Sequence, residues 1–347
     1  MQRKKILSIC IPTFNRAEYL KSCLLSIFYQ INGVDSIEVV VSDNHSNDDT
    51  ISILESFSHV PNFRYFSNSE NLGMSKNIIS LISRAEGEFC WLIGDDDFIL
   101  NGALEALINK IKENPSIDFF YVKPIGLTID EYKSFDTTFS TAIPGHEVKL
   151  PLKNEILDDW QELIRPKYSL IFMGELMTSV FRKSIWEQYT PNTGGEFLTS
   201  VESSYVFTLV YANTFIGKKT MFIETPMIIA FSGAREWWDR LGYVLIVLVK
   251  GLLDLYKEKG IKKSIMKECY IQYISITLPF IWKYAFSNSS TKDKIPFKIY
   301  FKFLASYPLL TIRGVLRILK NTFRSSVSKI IMYINPSLHK KIKASVN

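Results

Sequence analysis

The chain has 347 residues, of which 47% are hydrophobic, so its composition excludes a disordered protein and allows a substantial core. Its four cysteines and four histidines lack metal-ligand spacing, which argues against a zinc site and indicates reduced thiols in an intracellular protein. The net charge of +6 is unevenly distributed along the chain. Residues 292–347 carry twelve Lys or Arg and one Asp, a net charge of +11, so the rest of the chain has a net charge of −5.

No secretion or membrane-spanning signal is evident. The N-terminal MQRKK leads directly into a short apolar strand without a longer apolar segment or a small-residue cleavage site, so we expect no signal peptide. The longest apolar run, residues 244–249, is far shorter than the roughly 20 residues that a spanning helix requires. Residues 270–286 are more apolar, but Gln272, Pro279 and Lys283 interrupt them, and we expect no transmembrane helix there.

Strand and helix patterns alternate over the first 125 residues, as in a parallel α/β sheet. We predict strands at 6–11, 37–42, 62–66, 88–93 and 118–122, and helices at 16–30, 50–57, 72–85 and 102–113. Ligands of such sheets bind outside the carboxyl ends of the strands. Asp43 and the run Asp95–Asp97 both follow predicted strands, so we expect them at that edge.

The pattern is weaker after residue 128. We predict an irregular connection with a helix near 155–163, a strand at 176–181, a short helix at 183–188 and a mobile loop at 190–196. A helix at 201–211 and two strands, 221–224 and 227–231, follow, and from residue 236 the pattern is almost wholly helical.

The most informative segment is EFCWLIGDDD, residues 88–97, in which three aspartates follow an apolar strand and Gly94. Carboxylates this close repel one another unless a cation or amide donors neutralise them. Mg²⁺ or Mn²⁺ carrying a nucleotide diphosphate is the natural candidate. The alternative is a solvated turn in which one aspartate caps the helix that begins near Asn101.

The C-terminal tail has an amphipathic pattern. At 100° per residue its apolar side chains form one stripe, which consists of Ile312, Leu316, Leu319, Phe323, Val327, Ile330 and Ile334. A parallel stripe of cations lies beside it and consists of Arg313, Arg317, Lys320 and Arg324. We favour a helix lying in the plane of an anionic membrane surface, and the alternative is a helix packed on the body with a solvated basic face. The cations do not alternate with stacking aromatics, so no nucleic-acid partner is predicted.

Three segments together resemble the family 2 glycosyltransferases of the GT-A type. They are LSICIPTFNRAEYLKSCLLSI (7–27), VVVSDNHSNDDT (39–50) and NSENLGMSKNIISLISRAEGEFCWLIGDDD (68–97), and their order and spacing agree with that family. The resemblance covers residues 5–125 and, more loosely, 170–232. Within the family the chain is most similar to the abequosyltransferase-like enzymes of O-antigen and lipopolysaccharide synthesis.

The resemblance implies a GT-A fold with a nucleotide-sugar-binding half at 1–125, an acceptor-binding, catalytic half at 126–235 and a helical, basic region at 236–347. It implies transfer of a hexose or dideoxyhexose from a UDP-, CDP-, GDP- or dTDP-linked donor to a hydroxyl of a lipid-linked saccharide, with inversion and with Mg²⁺ or Mn²⁺. We expect the enzyme at the cytoplasmic face of the membrane, held there as a peripheral protein by its basic tail.

The candidate donor-binding residues lie at the strand ends. Phe14 is expected to pack on a nucleobase, Thr13 to meet a base or ribose edge, and Arg16 to meet a diphosphate, although Thr13 or Asn15 can also cap the following helix. The resemblance gives Asp43 a hydrogen bond from the pyrimidine; its rival role is to cap the next helix. The complete predicted donor-binding set is Pro12, Thr13, Phe14, Arg16, Asp43, Asn71, Gly73, Asn77, Asp95 and Asp96.

The family's D-x-D motif maps onto the aspartate run with an ambiguity of one residue, because Gly94 stands where many relatives carry the first acid. Asp96 and Asp97 are therefore the predicted metal ligands, with Asp95 in reserve.

Relatives usually place the catalytic base in a Glu-Asp pair about 100 residues later, but here Glu202 precedes Ser203. Glu202 is our first candidate, followed by Glu175 and Glu196, and an exposed structural role is the alternative for each. Trp238 is a candidate acceptor contact, with core packing as its alternative.

Two other functions fit parts of the pattern. Sugar-phosphate nucleotidyl transfer also uses paired acids and Mg²⁺, but the chain lacks a Gly-rich, basic signature near its first strand. A non-catalytic module that binds a nucleotide or anionic lipid would explain the missing second acid after Glu202.

Overall fold

The computed structural model describes residues 5–31, 33–128, 147–169, 171–194, 196–232, 240–285 and 296–334, with side chains of the last helix described to residue 323. Within these residues, nine strands form one mixed sheet. Helices cover both faces of this sheet, as the predicted GT-A class requires.

The predicted parallel part of the sheet is present. Its strands pair in the spatial order β3-β2-β1-β4 and are β1 (Leu7–Thr13), β2 (Ile37–Asp43), β3 (Phe63–Ser67) and β4 (Phe89–Leu92). The helices that connect them are α1 (Ala17–Ile31), α2 (Thr50–Ser56) and α3 (Met74–Arg84). This order places the carboxyl ends of β2, β1 and β4 side by side.

The second part of the sheet is mixed. Its elements are β5 (Asp97–Ile99), α4 (Ala103–Glu113), β6 (Phe119–Thr128), β7 (Asn154–Leu157), β8 (Ser179–Arg182) and β9 (Thr220–Ser232). β8 lies antiparallel between β4 and β6, and β9 runs parallel to β6. β5 and β7 pair antiparallel with the other edge of β9.

The predicted helix near 155–163 is wrong. Asn154 pairs with Ile223 and Leu157 with Thr220, so this segment begins as the strand β7, and the 3-10 helix Trp160–Ile164 follows it. Pairing with a distant strand outweighs the local pattern here, because strand formation depends strongly on its neighbours.

The two strands predicted on either side of Pro226 are one strand, β9. Its register against β6 shifts between Val122 and Pro124, and Pro226 lies in the matching irregularity. A proline is tolerated there because its missing N–H interrupts no regular ladder bond.

The other predicted elements differ from the structure mainly in their boundaries. The 3-10 turn Leu176–Thr178 precedes β8, the short helix spans Lys183–Trp186, and the predicted helix at 201–211 is two helices, Val201–Ser204 and Val206–Thr214.

From residue 240 the described residues are mostly helical, as predicted, whereas residues 236–239 of that prediction lie outside the described residues. Helix Leu241–Tyr243 continues through the π-helical turn Val244–Leu248 into Val249–Glu258, and Lys263–Ala285, Phe297–Ser306 and Pro308–Ile334 follow. Among the described residues, none of the helices combines the length and apolarity needed to cross a bilayer.

Alternating strand residues build a core on each face of the sheet. Ile9 and Ile11 pack with α1 and α4 on one face, whereas Cys10 and Val40 pack with α3 on the other. The helices at 206–214 and 249–285 contribute to this second core, so the C-terminal region is part of the body. All four cysteines are buried free thiols.

Candidate active site

The predicted polar residues meet at the carboxyl edge of the sheet. Thr13 and Asp43 are register partners at the ends of β1 and β2. On the other side of β1, the Ile93 amide donates to the Cys10 carbonyl (3.1 Å), so the turn 94–97 begins beside the end of β1. Asp43, Thr13 and the aspartate run therefore occupy three adjacent positions along one edge.

Asp95 is the centre of this arrangement. Thr13 Oγ1 donates a 2.7 Å hydrogen bond to Asp95 Oδ2, and Arg16 Nε lies 2.8 Å from Asp95 Oδ1. Arg16 also donates through Nη2 to Asp96 Oδ2 at 2.8 Å, while its guanidinium lies 4.7 Å from the ring centre of Tyr19. Arg16 thus neutralises part of the aspartate run, a role that the sequence analysis did not predict.

The solvated-turn interpretation of the aspartates is wrong. Asp95 is 6% exposed and Asp97 is 2% exposed. Helix α4 follows Gly102, which has a positive φ of 81°, and receives no side-chain cap. A buried pair of carboxylates without a capping role requires another explanation, because unneutralised buried charge is costly.

The environment of Asp95 changes its protonation. Burial raises the pKa of this carboxyl from 3.8 to about 7; the positive charge of Arg16 opposes this effect and the negative charge of Asp96 adds to it. The hydrogen bond from Thr13 also lowers this pKa, because it favours the ionised form. The folded chain therefore retains a proton on Asp95 at pH values where an exposed aspartate has lost it.

Gly94 leaves room for the carboxylates of Asp96 and Asp97. A Cβ placed on Gly94 would lie 2.8 Å from Asp96 Oδ1 and 3.0 Å from Asp97 Oδ2, so both oxygens approach this glycine closely. The Gly94 amide donates to Asp97 Oδ2 at 2.6 Å. The glycine at the position of the family's first acid is thus part of the geometry of the motif.

The aspartate run offers only part of the ligand set of a divalent cation. Among the described residues, no group of three or more His, Cys, Asp or Glu side chains is arranged to hold a metal ion. Mg²⁺, however, is commonly held by one or two carboxylates together with substrate phosphates. The carboxylates of Asp96 and Asp97, each with one oxygen close to Gly94, fit that mode.

Asp43 does not cap the following helix. Its carboxylate is buried and accepts from the Ser46 amide (3.2 Å), whereas Asp48 Oδ1 accepts from the Thr50 amide at the start of α2 (3.0 Å). Asp48 Oδ2 also accepts from the Ala17 amide at the start of α1, which ties the two helix starts together.

Asn77 positions the end of β2. Its Oδ1 accepts from Ser42 Oγ (2.7 Å) and Asn68 Nδ2 (2.9 Å), and its Nδ2 donates to the Ser42 carbonyl (3.0 Å). These hydrogen bonds go to the protein, so Asn77 acts on the residue that precedes Asp43. Asn68 is not among the residues predicted from the sequence, although it follows the end of β3 just as Asp43 ends β2.

The loop before α3 is organised by Asn44 and Asn71. Asn71 Oδ1 accepts from Asn44 Nδ2 (2.7 Å) and from the Gly73 amide (2.9 Å). Gly73 has a φ of 78°, which a side chain would disfavour, and α3 begins directly after it. The NLG motif therefore forms a defined turn beside Asp43. Phe14, 40% exposed, and the half-buried Pro12 complete the edge.

The three candidate bases have different surroundings. Glu202 is exposed on helix Val201–Ser204, and its carbonyl accepts a 2.7 Å hydrogen bond from Ser75 Oγ in the first turn of α3. The Glu175 carboxylate accepts from Ser169 Oγ (2.8 Å) and the Ile171 amide (2.9 Å) and so stabilises its own loop. Glu196 is exposed, and Trp238 lies outside the described residues.

Comparisons with known proteins agree with this architecture. The chain is 34% identical over 131 residues to abequosyltransferase RfbV of Salmonella typhimurium, covering 37% of this chain and 39% of that protein. It is 36% identical over 109 residues to GalNAc(5)-diNAcBac-PP-undecaprenol beta-1,3-glucosyltransferase of Campylobacter jejuni, covering 31% and 35%. The chain thus spans less than two-fifths of the length of either relative.

A solved structure shares the fold. The crystal structure of residues 1–349 of Staphylococcus aureus TarS in complex with UDP-GlcNAc superposes with a TM-score of 0.54 at 18% identity, covering 79% of this chain and 73% of that one. Residues 8–164 match the family model described as glycosyl transferase family 2. Residues 8–164 thus resemble the family 2 glycosyltransferases, and the chain shares the GT-A fold, as the three sequence motifs predicted.

Proposed function

We propose that the protein transfers a sugar from a nucleotide diphosphate donor to a hydroxyl of a saccharide in O-antigen or polysaccharide synthesis. The observation that carries this proposal is the row of Asp43, Thr13 and the aspartate run along one edge of the sheet, with Arg16 bound to Asp95 and Asp96. Edges of this kind are where α/β sheets bind nucleotides.

The donor site begins with the nucleoside at Asp43. Its carboxylate accepts from the Ser46 amide and remains an acceptor for a base N–H, and the exposed ring of Phe14 offers a surface for stacking. The diphosphate reaches Arg16, whose planar guanidinium suits phosphate oxygens. Arg16 already binds Asp96, which is partly exposed. When the donor binds, its diphosphate replaces Asp96 as an anionic partner of Arg16.

Asp96 and Asp97 are the residues that would hold Mg²⁺ or Mn²⁺ with the donor phosphates. When bound, the cation stabilises the negative charge of the departing nucleotide diphosphate. The amide of Gly94 fixes Asp97 Oδ2, and Arg16 orients Asp96, so the chain positions both carboxylates before the donor arrives.

Glu202 is the proposed base. It takes the proton from the acceptor hydroxyl while the oxygen bonds to the anomeric carbon, and the bond from that carbon to the phosphate oxygen breaks with its electron pair leaving on the diphosphate. Attack opposite the leaving group inverts the anomeric configuration. Ser75 ties the helix of Glu202 to the start of α3, beside the donor loop, which supports Glu202 over the internally bonded Glu175.

The proposed acceptor is a lipid-linked saccharide. The support is the similarity to the C. jejuni glucosyltransferase, whose name specifies a saccharide on an undecaprenol diphosphate. The donor sugar is proposed only as a hexose or dideoxyhexose.

The test is a calorimetric titration of UDP, GDP, CDP and dTDP, each with and without Mn²⁺. We expect one nucleotide to bind, and its binding to require both the metal and Asp97, so that Asp97→Asn abolishes it. Glu105→Gln, at an exposed position of α4, is the matched control. Failure of all four nucleotides to bind would overturn the proposal.

A second measurement separates binding from transfer. Glu202→Gln should retain the metal-dependent nucleotide affinity and lose sugar transfer. Release of pyrophosphate from a nucleoside triphosphate and a sugar phosphate would instead establish nucleotidyl transfer.

A further inference from the structure

The last described helix, Pro308–Ile334, carries a row of exposed apolar side chains. We call this row the outer stripe; its members are between 56% and 74% exposed, and they are Leu309, Ile312, Leu316, Leu319 and Phe323. At 100° per residue they fall within an arc of about 80° on the helix. Exposed apolar rows of this size usually mark an interaction surface.

The opposite face of the same helix is packed on the body. Gly314 is so close to helix Lys263–Ala285 that a Cβ on it would lie 2.5 Å from Ile274 Cγ2. Thr311 Oγ1 also donates to the carbonyls of Leu304 and Tyr307, which fixes the start of the helix against the preceding one. The sequence left packing and membrane binding as alternatives, but the helix packs through one face and leaves the outer stripe uncovered.

Cations lie directly beside the outer stripe. Arg313, Arg317 and Lys320 follow it within the next 80° or so of the helix circumference, and the chain contains no acidic residue after Asp293. In the part of the chain that the structure describes, none of these three cations has an acidic partner. The surface therefore combines uncovered apolar area with uncompensated positive charge.

The neighbouring helix, Phe297–Ser306, has the same combination. Ile299 is 44% and Phe301 56% exposed, and Lys298 and Lys302 are exposed with them, whereas Tyr300 and Phe303 are buried. Two consecutive helices thus bury one face and leave apolar and basic side chains at the surface on the other.

We propose that the outer stripe and its flanking cations bind the headgroup region of an anionic lipid membrane, with the helix lying in the membrane plane. Apolar side chains enter the boundary between headgroups and acyl chains, and cations beside them attract anionic lipids. A second copy of the chain fits this surface less well, because it would place the same uncompensated cations close to each other. The inference does not depend on the proposed sugar transfer.

The experiment is cosedimentation of the complete chain with vesicles of phosphatidylcholine, with and without phosphatidylglycerol. We expect binding to the anionic vesicles, weakened at high salt because screening reduces the electrostatic part. Leu316→Asp with Leu319→Asp should reduce the partition coefficient at least tenfold. Asn321→Asp with Thr322→Asp adds the same charge to exposed positions of the same helix outside the outer stripe and should have a much smaller effect.

Three results would overturn the proposal. The first is equal binding of the protein to neutral and anionic vesicles, or no binding to either. The second is an equal loss of vesicle binding in the two double variants. This result would mean that the added negative charge alone weakens binding and that the outer stripe does not enter the membrane. The third is a dimer in the absence of lipid that Leu316→Asp with Leu319→Asp converts to a monomer, because the outer stripe would then be covered by a second copy. Nucleotide affinity, measured on the same variants, should not change in any case.

Discussion

Ser75 Oγ donates a 2.7 Å hydrogen bond to the carbonyl of Glu202, joining two residues that are 127 positions apart in the chain. Ser75 is buried in the first turn of α3, directly after the turn that Asn71 and Gly73 form. The proposed base is therefore attached to the same helix start that borders the donor site. Movement of this helix start would affect the donor loop and the base together.

Ser75→Ala should lower the turnover number more than it lowers donor affinity. The substitution removes one hydrogen bond, worth about 1 kcal/mol of folding stability, and frees the helix that carries Glu202. Transfer kinetics, nucleotide titration and urea unfolding measure the three effects. Ser83→Ala is the control on the same helix, because Ser83 Oγ donates within α3, to the Ser80 carbonyl. A lower donor affinity with an unchanged turnover number would contradict this role.

Gly94→Ala should weaken metal-dependent nucleotide binding by about tenfold or more while the chain remains folded. The added Cβ would meet Asp96 Oδ1 at 2.8 Å and Asp97 Oδ2 at 3.0 Å, so the two carboxylates must move away from residue 94. Gly126→Ala is the matched control, because a Cβ at Gly126 meets nothing within 4 Å. Nucleotide binding by Gly94→Ala with an unchanged dependence on Mn²⁺ would show that this arrangement of the Asp96 and Asp97 carboxylates is not used to hold the metal.

Asn77→Ala should destabilise the fold by about 1 to 3 kcal/mol, because it removes three hydrogen bonds to buried partners in Ser42 and Asn68. Since these partners lie at the ends of β2 and β3, donor affinity should fall with the stability. The free energy of unfolding in urea measures the first effect. Lys76→Ala, at the exposed neighbouring position, should leave both quantities near their wild-type values.

The raised pKa of Asp95 predicts that the metal-free protein loses stability as the pH rises. Between 3.8 and about 7 the folded chain keeps a proton on Asp95 that the unfolded chain releases, so the unfolded state binds fewer protons and the free energy of unfolding falls. The full loss is up to about 4 kcal/mol.

The measurement for Asp95 is urea unfolding in the presence of a chelator, from pH 4 to pH 8, on the wild type and on Asp95→Asn. The difference between the two proteins isolates this carboxyl from the other titrating groups. We expect Asp95→Asn to become the more stable protein, relative to wild type, as the pH rises. A difference that does not vary with pH would contradict the raised pKa.

Much of the first half of the fold follows from local patterns. The strands β1 to β4 are short apolar runs between amphipathic helices, and their parallel order places Asp43 and Asp95 at one edge before any coordinates are known. The aspartate run was identified for the same reason.

The partners of those aspartates were not predictable in the same way. Arg16 and Asp95 are separated by 79 positions, and nothing in the local pattern states that the guanidinium turns toward the carboxylates. β5 and β7 are three and four residues long and exist because they pair with β9, so local periodicity cannot identify them. The predicted mobility of residues 190–196 stays a prediction.

The position of β8 has a consequence for synthesis of the chain. β8 separates β4 from β6, so these two strands have no direct pairing with each other, and β4 has an open edge until Ser179–Arg182 has left the ribosome. An open edge beside the apolar residues Phe89–Leu92 is prone to pair with other chains. The nascent sheet therefore keeps this unpaired edge while about 90 further residues are synthesised, and it is exposed to aggregation during that stage.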